Sequence, residues 1–102
     1  PGGFVDPNEA PEITMKRELL EETGYEGEVK LVTTCLDDAY STMERYCFVA
    51  TNCKKVKEIE NGENEFTELV LVPLDEFKRI LRSGQMTDVE VGFLGLDYLG
   101  LL

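Results

Sequence analysis

Three glutamates, Glu18, Glu21 and Glu22, stand at i, i+3 and i+4 in a stretch whose ends are marked for a helix. Pro11 suits a first helical turn, where a missing N–H costs nothing, and Gly24 suits the left-handed position just past a last turn. The predicted helix runs from about Pro11 to Thr23 and puts all three carboxylates on one face. Like charges at that spacing repel, and they occupy the last turns, where the helix dipole disfavours anions. A divalent cation on that face would reverse both penalties. An all-oxygen donor set selects a hard ion, Mg²⁺ first and Mn²⁺ second. The competing account is a solvated acidic face. Such faces normally mix signs, with Lys four residues after Glu. Here no basic residue follows Glu18 or Glu21 at that spacing, and Glu22 is followed there by Glu26.

The glutamates belong to a longer pattern: Gly3, five residues, Glu9, seven residues, then Arg17-Glu18-Leu19-x-Glu21-Glu22-x-Gly24 and the apolar Tyr25. Chance produces seven such fixed positions about 10⁻⁹ times per starting point at average residue usage. The pattern resembles the Nudix box, the signature of the Nudix hydrolases, with every defining position filled. The resemblance implies an α+β domain, an α/β/α sandwich around a mixed sheet. It also implies that Gly3 offers a backbone carbonyl to the metal and that Glu18, Glu21 and Glu22 offer side chains. Arg17 would hold glutamate side chains in place by charge-assisted hydrogen bonds, and Glu9 would brace the loop. Asn8 departs from the Gly that relatives often carry, and Asn tolerates the left-handed region. The apolar residues of the helix lie on two flanks, Ile13 with Leu20 and Met15 with Leu19, as expected of a helix held between layers.

By length, residues 1–102 are expected to form a single domain with one small core. A net charge of −11 speaks against nucleic acid and anionic membranes as partners. It also opposes an anionic phosphate substrate, a conflict that bound metal would resolve locally. No apolar run is long enough to span a bilayer. Cys35, Cys47 and Cys53 cannot all pair with one another, and there is no histidine. Structural zinc and cysteine catalysis are therefore disfavoured, and reduced thiols in a cytoplasmic protein are expected. The sequence opens at Pro1-Gly2-Gly3, inside the expected metal loop. Nudix domains carry strands before the box, so the expected domain is N-terminally incomplete, with a strand edge that favours a homodimer.

Downstream, Glu28–Leu36 and Met43–Thr51 alternate as a predicted strand pair around the polar loop 37–42. In the second strand Arg45, Cys47, Val49 and Thr51 point one way and Tyr46, Phe48 and Ala50 the other. Tyr40, in the loop, is a candidate for stacking on a base or ribose; packing at the rim of the core is the alternative. Residues 52–62 read as a charged, solvated loop containing Lys54, Lys55 and Lys57. Leu69–Val72 reads as a strand ended by Pro73. The acidic segment before it resembles that of ADP-ribose pyrophosphatase-type Nudix enzymes, where a glutamate acts as general base or further ligand. Glu65 is the choice here and Glu63 the reserve. Two helices close the chain. In the first, Phe77, Ile80 and Leu81 face the core and Ser83-Gly84 ends the helix. In the second, Thr87 or Asp88 is the N-cap and Val89, Phe93 and Leu96 form the buried face.

The resemblance implies Mg²⁺-dependent hydrolysis of a nucleoside diphosphate linked to another moiety. ADP-ribose or an ADP-sugar, giving AMP and a sugar phosphate, is the expected substrate. The alternatives are a nucleoside triphosphate pyrophosphohydrolase and a Nudix binding or sensor module without activity. Retention of every box carboxylate opposes the last.

Overall fold

The computed structural model describes residues 1–59, 61–63 and 66–102. Among them the chain forms helix α1 (Pro11–Thr23), strands β1 (Tyr25–Leu36) and β2 (Glu44–Lys55), and helices α2 (Leu74–Arg82) and α3 (Val89–Tyr98), an α+β fold. The strands pair as a two-stranded sheet. Asp37 donates its N–H to the Met43 carbonyl at the turn, and Val56 donates to the Gly24 carbonyl at the open end. Both bonds belong to one antiparallel register, which fixes the side-chain alternation of the hairpin.

The residues cluster in two compact units, Pro1–Leu31 with Phe48–Leu69 and Val32–Cys47 with Val70–Leu102. The first unit holds α1 and buries Leu19, Val29 and Val49 together with the polar Thr14 and Thr23. α1 has the bounds the sequence predicts. Gly24 closes it with φ 76°, and its N–H reaches the Leu20 carbonyl at 2.8 Å. An added Cβ there would fall on the Lys57 carbonyl oxygen. Thr23 strengthens this end: its hydroxyl donates to the Leu19 carbonyl at 2.6 Å and accepts the Tyr25 N–H at 3.1 Å. The two-flank reading of α1 is corrected in part. Leu19 is buried, whereas Ile13 is 52% exposed.

The second unit buries Cys47, Leu81 and Leu96. α2 and α3 pack together, and Gly92 explains how. A Cβ at Gly92 would lie 2.5 Å from Leu81 Cδ2, so the missing side chain is what admits Leu81. Ser83 ends α2 with its hydroxyl on the Ile80 carbonyl at 2.6 Å. Of the two expected N-caps of α3, Asp88 holds the position, but with φ 57° and no capping hydrogen bond from its side chain. Its carboxylate instead accepts from Arg45 Nη2, while Arg45 Nη1 donates to Glu90. Arg45 Nε lies 3.5 Å from Asp37 Oδ1.

Two expectations change. β2 runs on to Lys55, through part of the stretch read as a loop. Main-chain pairing extends it, and that pairing is invisible in a polar sequence. Residues 69–72, read as a strand, are not one. A strand requires a paired neighbour, and Val70 and Leu71 are instead exposed. All three cysteines are free. No helix among the described residues is long and apolar enough to cross a membrane.

Candidate metal centre

The candidate residues Gly3, Glu9, Arg17, Glu18, Glu21 and Glu22 all fall in the first unit. The helical spacing of the glutamates is realised on the last two turns of α1, and the loop before the helix returns over them. The Gly3 backbone lies against Glu18 so closely that a Cβ would sit 2.5 Å from Glu18 Oε1 and 2.6 Å from its Cδ. The Gly2 N–H donates to Glu22 Oε2 at 3.0 Å.

Arg17 ties the rest together. Its Nη1 donates to Glu18 Oε1 at 3.1 Å and to Glu21 Oε2 at 3.5 Å. Its Nη2 donates to Glu9 Oε1 at 3.1 Å and to Asp6 Oδ2 at 3.3 Å. These acceptors push the guanidinium pKa up, the Glu9 hydrogen bond most of all. Glu9 in turn has its carboxyl held low, first by a hydrogen bond from Thr14 and then by one from Arg17. Its place just before α1 also suits an anion, since the positive end of the helix dipole lies there. Glu18 moves the opposite way. Burial raises its carboxyl above the usual range, and the adjacent Glu22 raises it further; Arg17 offsets only part.

Among the described residues, no three His, Cys, Asp or Glu side chains are drawn together as a metal shell. The reason is visible in the bonding. Glu18 and Glu21 answer to Arg17, and Glu22 answers to a backbone amide. The donor set nevertheless fits a hard divalent cation. It is all oxygen, Glu18 and Glu22 stand in mutual repulsion, and Gly3 brings main chain against Glu18 where any side chain would intrude. Gly3→Ala is therefore expected to weaken Mn²⁺ binding about 10-fold. Gly3 lies in an exposed loop, so the melting temperature should barely move. Titration calorimetry and thermal denaturation read the two effects separately.

The remaining candidates are more dispersed. Glu63 is exposed in a turn, and Glu65 lies outside the described residues. Tyr40 belongs to the second unit. It is fully exposed, which removes core-rim packing as its role. Its N–H is fixed by Asp38 Oδ1 at 2.6 Å, and Ser41 Oγ accepts the Met43 N–H at 3.0 Å, so side chains within the loop shape it. Lys55 pairs with Glu58 at 3.1 Å. Sequence reasoning missed Asp6 and Thr14. Asp6 carried no signal beyond its charge. Thr14 could have been suspected as the one hydroxyl one helical turn before Glu18.

The profile of the NUDIX domain family matches residues 1–89. The chain is 32% identical over 83 residues to the ADP-sugar pyrophosphatase of Mus musculus, covering 74% of this chain and 38% of that protein. It is 29% identical over 104 residues to the ADP-ribose pyrophosphatase of Bacillus subtilis (strain 168), covering 99% and 56%. It is 30% identical over 101 residues to the GDP-mannose pyrophosphatase of Enterobacter sp. (strain 638), covering 95% and 52%. The chain thus spans between 38% and 56% of the length of these relatives.

Proposed function

This chain belongs to the NUDIX domain family, and on that premise we propose that it acts as a divalent-cation-dependent hydrolase of a nucleoside diphosphate linked to a sugar. ADP-ribose or an ADP-sugar is the substrate, and AMP and a sugar phosphate are the products. One observation carries the reading: loop and helix meet at the same carboxylates, with Gly3 against Glu18, the Gly2 amide on Glu22 and Arg17 on Glu18 and Glu21.

Glu18, Glu21, Glu22 and the Gly3 carbonyl would hold the cation, Mg²⁺ or Mn²⁺ in its place. When bound, it supplies Lewis acidity, polarising phosphoryl oxygens and acidifying water. Arg17 orients the carboxylates. Water adds to a phosphorus of the pyrophosphate, the bond to the bridging oxygen breaks, and Glu65, with Glu63 in reserve, takes the water's proton. The relatives' names support the nucleotide-sugar class, and the free thiols suit a reducing cytoplasm.

The GDP-mannose relative, similar at nearly the same level, favours a GDP-sugar as second reading. The test is incubation with ADP-ribose, an ADP-sugar, GDP-mannose and nucleoside triphosphates, with and without Mg²⁺, reading products by mass. Cation-dependent AMP and a sugar phosphate are expected. GMP from GDP-mannose alone would select the second reading, and pyrophosphate from a triphosphate would reject both. No product from any substrate would reject hydrolysis by this chain.

A further inference from the structure

The reading above gives Thr14 no role, yet its hydroxyl is among the most enclosed polar groups described. Thr14 is 3% exposed, on the first turns of α1. A β-branched residue gains nothing in helix propensity there, and Val would fill the same space. The hydroxyl itself is engaged: Thr14 Oγ1 donates to Glu9 Oε1 at 2.5 Å, the length of a charge-assisted bond. The same Glu9 oxygen accepts Arg17 Nη2 at 3.1 Å. The opposite edge of the guanidinium, Nη1, meets Glu18 and Glu21 at 3.1 and 3.5 Å. Ala10, at the N-cap, makes no side-chain capping bond to join loop and helix. Glu9, bonded by Thr14 and Arg17, makes that junction instead.

We propose that Thr14 is a positioning residue for the metal-holding carboxylates. Its hydroxyl fixes Glu9, Glu9 fixes one edge of Arg17, and the other edge of Arg17 sets where Glu18 and Glu21 stand. The inference rests on the metal reading given above. A guanidinium is a rigid planar fork, so anchoring one edge constrains the other. Without the hydroxyl, Glu9 can turn toward water. Arg17 is then free to close on Glu18 and Glu21 and to compete with a cation for them. Removal of such an outer partner typically costs about 10- to 100-fold in metal affinity.

The experiment compares wild type, Thr14→Val and Thr14→Ser. Mn²⁺ binding is followed by electron paramagnetic resonance, and the Arg17 side-chain ¹⁵N–¹H signals are followed by NMR in metal-free protein. Thr14→Val is expected to bind Mn²⁺ about 10-fold more weakly and to shift or broaden the Arg17 signal. Thr14→Ser, which keeps the hydroxyl, is expected to restore both. Wild-type Mn²⁺ affinity in Thr14→Val would overturn the proposal, as would an unchanged Arg17 signal. Failure of Thr14→Ser alongside Thr14→Val would assign the effect to methyl packing and overturn it too. Wild type that binds no Mn²⁺ would reject the metal reading itself and the inference with it. That outcome is distinct from tight binding that ignores Thr14.

Discussion

Replacing Glu22 with Gln is expected to lower turnover about 10²-fold, the scale of removing one preorganised electrostatic contributor from a reaction centre. Gln keeps the shape of the side chain and can still accept the Gly2 N–H seen at 3.0 Å. What disappears is one negative charge beside Glu18, whose carboxyl Glu22 already disturbs. Like charges at i and i+4 cost a helix about 0.2–0.5 kcal/mol. The cation-free variant should therefore melt no lower than wild type. Loss of activity without loss of stability marks a residue kept for chemistry. Steady-state kinetics and thermal denaturation on the same preparation measure both. Full turnover in the variant would remove Glu22 from the site.

Gly24→Ala is expected to do the reverse and unfold the site from behind. Gly24 holds φ 76°, where a left-handed L-residue costs roughly 1–2 kcal/mol. The added methyl would also be driven onto the Lys57 carbonyl, a backbone atom that cannot rotate aside as a side chain can. The Gly24 carbonyl accepts from both Val56 and Lys57, so relief by moving the chain would loosen the end of the hairpin. Together these amount to about 2–3 kcal/mol, which for a chain of this size lowers the melting temperature on the order of 10 °C. Residual activity should track the folded fraction, and added Mn²⁺ should recover part of the melting temperature by binding only the native form. An unchanged melting temperature would show that the helix end is not held as described.

The extent to which sequence revealed this arrangement follows from range. α1 was legible residue for residue because its signals are local: Pro11 at the start, Gly24 at the end, glutamates at helical spacing between them. The alternation of β2 was legible too, since it put Cys47 and Val49 on one side and both are buried, but it did not say which side would face the core. Residues 69–72 misled for the complementary reason. Leu-Val-Leu-Val states a preference for extended chain, but pairing depends on a distant partner. The Thr14–Glu9–Arg17 relay escaped because a threonine in a helix carries no mark of what its hydroxyl meets. The choice between Thr87 and Asp88 as N-cap located the start of α3 to within a residue and misjudged the purpose of the Asp88 side chain, which Arg45 claims from 43 residues earlier in the sequence.

That displacement of Asp88 bears on how the second unit comes to be folded. A side-chain cap reduces what a helix must gain from packing to form, but α3 has no side-chain cap of its own, and the acids at its start are met by an arginine from β2. The contact closes a long loop, whose entropy must be spent before the ion pairs return anything. Order in α3 therefore waits on the hairpin. The expected folding behaviour is one cooperative, comparatively slow step for Val32–Cys47 with Val70–Leu102, in place of a helix that forms early and docks late.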